Sequence, residues 1–473
     1  MDSKPAFAAL ALILAAQLAC HAAFSKALVF GDEGYYANEA DFVSRGMVIY
    51  RDFFDNHSPG IAYAGAAGFA VFGRSFESGR LVVALVQAAA TVAVFYFASR
   101  LYGNFAGTVA AGYYAAAEVL MGGFWFITEQ FLAFFILLSA FCAWQYFSAR
   151  EKPRGRDIFL AGFFAGVALL FKQPAACFAA ALAAFAASDK ASARGVPLLL
   201  AGIMLPVALA SAYFLASGAL PQAAYGVLLF NFGVKGMRDA DFSLLFTPFS
   251  LLQMAPLLVG AAPLAWKAAK GGWSRLDAFL FAWIACAAMA AFPRFTTYHL
   301  MAALAPAAII FSGAAEGALS ADGREAGWRG AALRGAIAFF ALDALAVAAV
   351  AALSGQMGDE ISAYSQVESY VHAHCGLSEG VFGFPGGAYF FMNATPATYY
   401  LEFSPWLVSP EIEADTIAEL EEKRPDCAVV WNRWLELSES RTATPRLYAY
   451  VEDNYGGAWP APGGEFTVLK RNG

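Results

Sequence analysis

Long apolar runs separated by short polar joints dominate the chain. A helix needs roughly 20 residues to cross a bilayer, and eleven candidate spans meet or approach that, near 6–24, 80–99, 104–121, 126–147, 157–171, 174–188, 196–216, 249–266, 276–292, 297–314 and 335–353. The fifth and sixth are short and share Lys172-Gln173-Pro174 as their joint. Gly60–Gly73 is apolar but too short to span, so it reads as a helix lying in or dipping into the interface. Beyond residue 354 the pattern changes. Asp359–His374 and Pro410–Lys423 have helical apolar spacing, while Gly380–Phe384, Cys427–Trp431 and Phe466–Lys470 read as strands. The expected fold is a polytopic α-helical membrane protein with about eleven spans over 1–354, outer loops at 25–79 and 217–248, and a small extracytoplasmic α/β domain over 355–473.

Composition agrees: 60% hydrophobic, 16% aromatic and 14% charged residues in 473, with 44 Phe and 43 Gly, depart from an ordinary soluble domain with about 25% charged residues. A soluble enzyme, a disordered chain, a collagen-like repeat and a disulfide scaffold are excluded. The net charge of −7 divides into −10 for residues 355–473 and +3 for the rest. No basic stripe points to nucleic acid. With the N-terminus in the cytoplasm, Arg100–Gly103, Ser148–Arg156, Asp189–Arg194, Lys267–Arg275 and Glu316–Arg334 become cytoplasmic loops, and each carries Lys or Arg. An odd span count then places Ser25–Gly79, Ser217–Pro248 and the acidic tail outside, in the cell (inner) membrane. Gln17-Leu18-Ala19-Cys20 faintly resembles a lipoprotein box, but Gln17 stands where an aliphatic residue belongs, so the first run reads as an uncleaved span. The spans show no internal duplication, which disfavours repeat-built transporters.

The cysteines form no metal pattern. Cys20, Cys142, Cys177 and Cys286 lie in apolar runs. Cys375 and Cys427 fall in the tail, where they either pair in an oxidising compartment or stay as two buried thiols. Gly386-Gly387 after a strand lacks the rest of a nucleotide-binding fingerprint.

The richest polar segment follows the first span: Asp32-Glu33-Gly34-Tyr35-Tyr36, then Tyr50-Arg51-Asp52-Phe53-Phe54-Asp55-Asn56-His57-Ser58-Pro59. Charges and large aromatics alternate there. The segment either packs down and presents polar groups to a cavity, or forms an interfacial aromatic belt with incidental charges. These stretches, with Thr128-Glu129, Phe171-Lys172-Gln173-Pro174, Pro293-Arg294 to His299, and Asp426-Cys427-Ala428-Val429-Val430, resemble the GT-C fold glycosyltransferases that use polyprenyl-phosphate sugars. That family includes the protein mannosyltransferases and the aminoarabinose transferase of lipid A, and the resemblance covers nearly the whole chain.

The resemblance implies transfer of a sugar from a polyprenyl-phosphate donor to an extracytoplasmic acceptor, with inversion at the anomeric carbon. It makes Asp32 the catalytic carboxylate, a base for the acceptor hydroxyl, with Glu33 assisting or facing solvent. Cations should meet the leaving phosphate. Arg51, His57, Lys172, Arg294 and His299 are the candidates, and Glu129 is the second acidic position. His57 stands in a looser His-Ser-Pro setting than the family pattern, and Lys172 alternatively reads as an ordinary snorkelling lysine. Arg294 and Tyr298 lie one helical turn apart. Tyr225, Asn231, Lys235 and Arg238 resemble the second external loop of these transferases. No cofactor is required, although Asp32, Glu33 and Glu129 are acidic enough to gather a divalent cation. Glu118 and Asp343 lie within spans, where ionised groups cost about 2.5–3.5 kcal/mol, and neither has an assigned role. The rival reading is a transporter or flippase of a lipid-linked glycan.

Overall fold

A computed structural model describes residues 3–26, 31–149, 153–235, 247–291, 296–319, 359–384, 388–403, 407–432, 442–461 and 466–472. The expected eleventh span with Asp343, and also Arg238, Arg294 and Gly386-Gly387, lie outside the described residues. The chain divides into two compact units, Met1–Ser25 with Arg80–Ala210 and Ala240–Leu353, and Lys26–Gly79 with Ser211–Asp239 and Ser354–Gly473.

The first unit is a bundle built from α1 (Ser3–Phe24), α4 (Phe76–Tyr102), α5 (Asn104–Leu120), α6 (Thr128–Ser148), α7 (Gly155–Phe171), α8 (Ala175–Ala187), α9 (Val196–Ala216), α10 (Pro248–Ala269), α11 (Arg275–Ala290) and α12 (Leu304–Leu319), the last preceded by a 3-10 turn, Thr297–Ala303. Ten of the expected spans therefore coincide with helices. Among the described residues six helical stretches are long and apolar enough to cross a membrane by length and composition. Small residues let these helices approach closely, as lipid-embedded packing requires. A Cβ on Gly162 would stand 2.1 Å from the Leu199 carbonyl oxygen, and one on Gly202 2.2 Å from that of Phe159, so α7 and α9 touch backbone to backbone.

Glu118 on α5 is fully buried. It accepts a hydrogen bond from Gln17 Nε2 (3.1 Å) and pairs with His21 Nε2 (2.9 Å), while Gln17 Oε1 accepts from Thr91 (2.9 Å). Polar side chains in a span thus find one another across α1, α4 and α5, as an apolar solvent demands. The C-terminus of α1 is closed by Arg80, whose guanidinium donates to the carbonyl of Phe24 at 2.9 Å. That satisfies a carbonyl with no partner inside its helix. Ser274 and Asp277 form a reciprocal cap at the start of α11.

The second unit holds α2 (Gly31–Ser44), α3 (Gly60–Phe72), a π-helical stretch Tyr225–Lys235, α13 (Asp359–His374), β1 (Phe382–Phe384), α14 (Ala388–Met392), α15 (Pro410–Lys423), β2 (Cys427–Trp431), α16 (Pro445–Asn454), β3 (Tyr455–Pro460) and β4 (Phe466–Arg471). Its sheet runs β1-β2-β4-β3, with β1 parallel to β2 and the other two pairs antiparallel. The strands expected from sequence are present, together with β3, which the pattern missed. Its sequence YGGAWP carries two glycines and a proline, tolerable because it occupies a sheet edge. Phe382, Ala428, Val430, Leu420, Leu447 and Val451 make the core on one side of the sheet. Cys375 and Cys427 are joined as a disulfide, Cα to Cα 5.7 Å.

Within this unit α2 and α3 lie together, and the tail is bound to α2. Phe390 N donates to Asn38 Oδ1 at 2.6 Å. Buried Asp41 accepts from Arg74 Nε (2.5 Å) and Nη2 (3.0 Å) and also pairs with Arg45 at 2.7 Å.

Candidate active site

Two polar centres stand out, one in each unit. In the second unit Asp32 and Glu33 form the first turn of α2, where a carboxylate gains from the helix dipole. One step along the helix separates their environments: Asp32 is exposed and Glu33 is fully buried. On the inner face of the same helix Tyr35 and Glu39 are buried.

Segment 48–59 is held against them by a strained backbone. Tyr50 has φ +70°, a left-handed conformation that costs a bulky residue about 1–3 kcal/mol. Three contacts hold it there: its amide donates to Phe53 O (2.9 Å), its hydroxyl to His57 O (2.6 Å), and Tyr399 donates to its carbonyl (2.6 Å). Asn231, on the π-helical stretch, donates to Asn56 O at 2.7 Å. The stretch can come this near because position 226 has no side chain, since a Cβ on Gly226 would stand 2.3 Å from Asp55 O.

The result is a constellation around Asp55, itself fully buried. Its Oδ1 accepts from Tyr35 OH (3.2 Å) and meets His57 Nδ1 (2.8 Å), and a carboxylate only accepts, so His57 carries its proton on Nδ1. The rings of Tyr35 and Tyr36 stand edge-on to the His57 imidazole at 6.0 and 5.6 Å. Burial pulls the Asp55 carboxyl up, but His57 outweighs it by attraction and hydrogen bonding and leaves it below its ordinary range. Burial, then the charge of Asp55, pushes Glu39 well above the usual carboxylate range. The same two causes raise the Tyr35 phenol.

In the bundle, Glu129 sits in the first turn of α6, 3% exposed. Lys172, the extended residue that ends α7, donates its ammonium to Glu129 Oε1, and His299 Nε2 reaches the same oxygen at 3.2 Å. Thr128 Oγ1 donates to Oε2 at 3.0 Å. Phe131 and Phe171 stack at 4.8 Å beside it. Lys172 and His299 keep 16% and 15% of their side chains exposed, so they are the accessible edge of a buried carboxylate.

Glu129, Lys172 and His299, far apart in sequence, thus come together; Asp32, Glu33 and His57 belong to the other unit. Arg51 joins neither centre. It is half exposed, clasps Asp52 through Nε (2.8 Å) and Nη2 (2.9 Å), and reaches Ser217 O at 3.3 Å. Asp52 accepts those bonds and is lowered by them. Glu39 and Asp55 were absent from the sequence candidates. Asp55, two residues before His57, was visible as a possible partner; Glu39 looks like any polar residue of a helix until its burial is known. Among the described residues no group of three or more His, Cys, Asp or Glu converges as a metal site.

A family model described as dolichyl-phosphate-mannose-protein mannosyltransferase matches residues 56–214. No curated protein sequence matches the chain significantly. Among solved structures, ArnT from Cupriavidus metallidurans in the apo state aligns with TM-score 0.64 and 15% identity over 97% of both chains. The same protein bound to undecaprenyl phosphate aligns at 0.61, also with 15% identity and 97% of both chains. The oligosaccharyltransferase AglB from Archaeoglobus fulgidus, in complex with an inhibitory peptide and a dolichol-phosphate, aligns at 0.54 with 14% identity, over 98% of this chain and 74% of that one. The chain is accordingly an integral membrane protein with the GT-C glycosyltransferase fold.

Proposed function

We propose that the protein is a membrane glycosyltransferase that moves a sugar from a polyprenyl-phosphate donor to an acceptor outside the cytoplasm. The observation that carries this reading is the likeness in fold over 97% of both chains to a structure holding undecaprenyl phosphate. A second, the AglB structure with dolichol-phosphate, supports the same donor class.

In the proposed step an acceptor hydroxyl oxygen bonds to the anomeric carbon as the bond from that carbon to the phosphate oxygen breaks. The electron pair leaves with the phosphate, and configuration inverts. Asp32 takes the hydroxyl proton; its exposed place in the first turn of α2 suits a base that must meet an incoming acceptor. Positive charge on this chain must meet the phosphate; in the bundle that role falls to Lys172 and His299, which Glu129 holds in place, and in the second unit the candidate is His57. Arg51 stays outside this assignment because its guanidinium is committed to Asp52.

The orientation belongs to the same proposal: N-terminus cytoplasmic, residues 355–473 an extracytoplasmic domain, the whole chain in the inner membrane with eleven spans. The disulfide Cys375–Cys427 supports it, since such bonds persist in oxidising compartments. No observation favours a flippase.

The test is transfer from a labelled polyprenyl-phosphate sugar by purified protein in detergent. Asp32→Asn is expected to lower the rate by about 10²–10⁴-fold while leaving the melting temperature unchanged. Transfer at the wild-type rate by that variant refutes the assignment of the base.

A further inference from the structure

Glu39 and Asp55 pose a problem that the proposed chemistry leaves open. Both side chains are fully buried in the second unit. Neither oxygen of Glu39 has a hydrogen-bond partner of good geometry among the described residues, and Asp55 Oδ2 is in the same position; the nearby Tyr35 hydroxyl favours the charged form of Glu39, but burial and the charge of Asp55 outweigh it. As two carboxylates they would present lone pairs to one another in a site buried from solvent, where each uncompensated charge is expensive. The groups that face them do little to relieve this. Tyr35 gives its one proton to Asp55 Oδ1, and Tyr50 gives its own to a backbone carbonyl. Glu402 adds negative charge. Among the described residues that touch the pair, His57 is the basic one, and it binds Asp55 rather than Glu39.

One proton removes the conflict. A carboxyl that keeps its hydrogen becomes the donor that Asp55 Oδ2 lacks, and two like charges in one site regularly resolve in this way. We propose that Glu39 and Asp55 hold a single proton between them, Glu39 as the neutral donor, and that this acid pair acts as a positioning device fixing the His57 ring so that Nε2 is free for the phosphate of the donor. The pair is assembled from two elements: Glu39 comes from α2, and Asp55 from the segment strained at Tyr50. The upward displacement of Glu39 and the downward one of Asp55 agree with this division of roles. His57 keeps 24% of its side chain exposed, so the ring is reachable while its Nδ1 is engaged. The assignment of His57 to the phosphate rests on the proposed function; the acid pair itself does not.

The experiment therefore reads the pair and the reaction separately. Infrared difference spectra of wild type against Glu39→Gln at neutral pH are expected to show the carbonyl stretch of a protonated carboxylic acid that the variant lacks. No such band overturns the pair, whatever the substrate. The chain has five histidines, so selective 15N labelling of histidine is tractable. His57 should report a proton on Nδ1 that persists in Glu39→Gln and is lost or exchanged in Asp55→Asn. An unchanged ring in Asp55→Asn overturns the positioning role.

For transfer, Asp55→Asn should lose up to about 10⁴-fold, as when a buried carboxylate that sets a histidine tautomer is neutralised. Glu39→Ala should lose at least about tenfold, while Glu39→Gln, which can still donate to Asp55, stays within about threefold of wild type. The alkaline limb caused by ionisation of Glu39 should vanish in Glu39→Gln. Glu39→Gln as impaired as Glu39→Ala, at an unchanged melting temperature, refutes the proton-donor role. If the wild type itself transfers nothing from a polyprenyl-phosphate sugar, the proposed function fails, and the two spectroscopic readouts still decide the pair.

Discussion

Lys172→Met tests the bundle centre most directly. In the native protein Lys172 and His299 both meet one oxygen of Glu129, a carboxylate that is 3% exposed. Removing the ammonium leaves that buried charge with His299 and Thr128 as its remaining partners. Breaking a buried pair from one side costs about 3–5 kcal/mol. Because His299 remains, the lower end, about 3 kcal/mol, is the expected loss. Glu129→Gln should cost less, since Lys172 and His299 each keep an exposed edge. In the double variant no buried charge is stranded, so stability should return by about 2 kcal/mol relative to the sum of the single losses.

Catalysis should behave differently. If Lys172 also meets the donor phosphate, its charge-assisted bond is worth about 1.5–3 kcal/mol, roughly 10- to 150-fold in kcat/KM. The double variant should not recover that loss. The assay is a double-mutant cycle read twice, by thermal unfolding in detergent and by transfer kinetics. A single-variant cost below about 1 kcal/mol, the range of an exposed pair, refutes the burial argument. Recovery of transfer together with stability refutes the phosphate role.

Gly226→Ala places a Cβ 2.3 Å from Asp55 O; either the π-helical stretch or segment 48–59 must move. Transfer should fall more than about tenfold for a displacement of this size, with little change in expression, and unchanged kinetics would contradict the close approach. Cys427→Ser opens a link across 52 residues, for which loop entropy alone gives about 4 kcal/mol. Unfolding of residues 355–473, followed by cysteine labelling with and without reductant, checks this; a shift below about 1 kcal/mol would refute it. Glu39, raised in the folded protein, binds its proton more tightly there than in the unfolded chain. Stability should therefore decline as pH rises above the unfolded value, near 4.5, and level off past the native value. Asp52 and Asp55 are lowered, so their contribution is full above their unfolded value, near 3.8, and is lost as pH falls through their native ones. Melting curves of wild type against Glu39→Gln isolate the first slope, which should disappear in the variant.

Sequence alone was enough for the spanning helices, because lipid accepts no unpaired backbone and so demands an unbroken apolar run for each crossing. Ten such runs became helices, and the strands Cys427–Trp431 and Phe466–Arg471 followed equally from their alternation and apolar content. Motif resemblance also led to Glu129, Lys172 and His299, yet as three separate candidates. Their meeting on one oxygen depends on how α6, α7 and the 3-10 turn pack, which local pattern does not encode. The same holds for a unit assembled from residues 26–79, 211–239 and 354–473, for the choice between free and bonded Cys375 and Cys427, and for Glu39. A carboxyl at that position reads as solvated in the sequence, and only burial against Asp55 gives it a different chemistry. Periodicity and hydropathy are properties of neighbours in the chain, whereas pairing and protonation are set by neighbours in space.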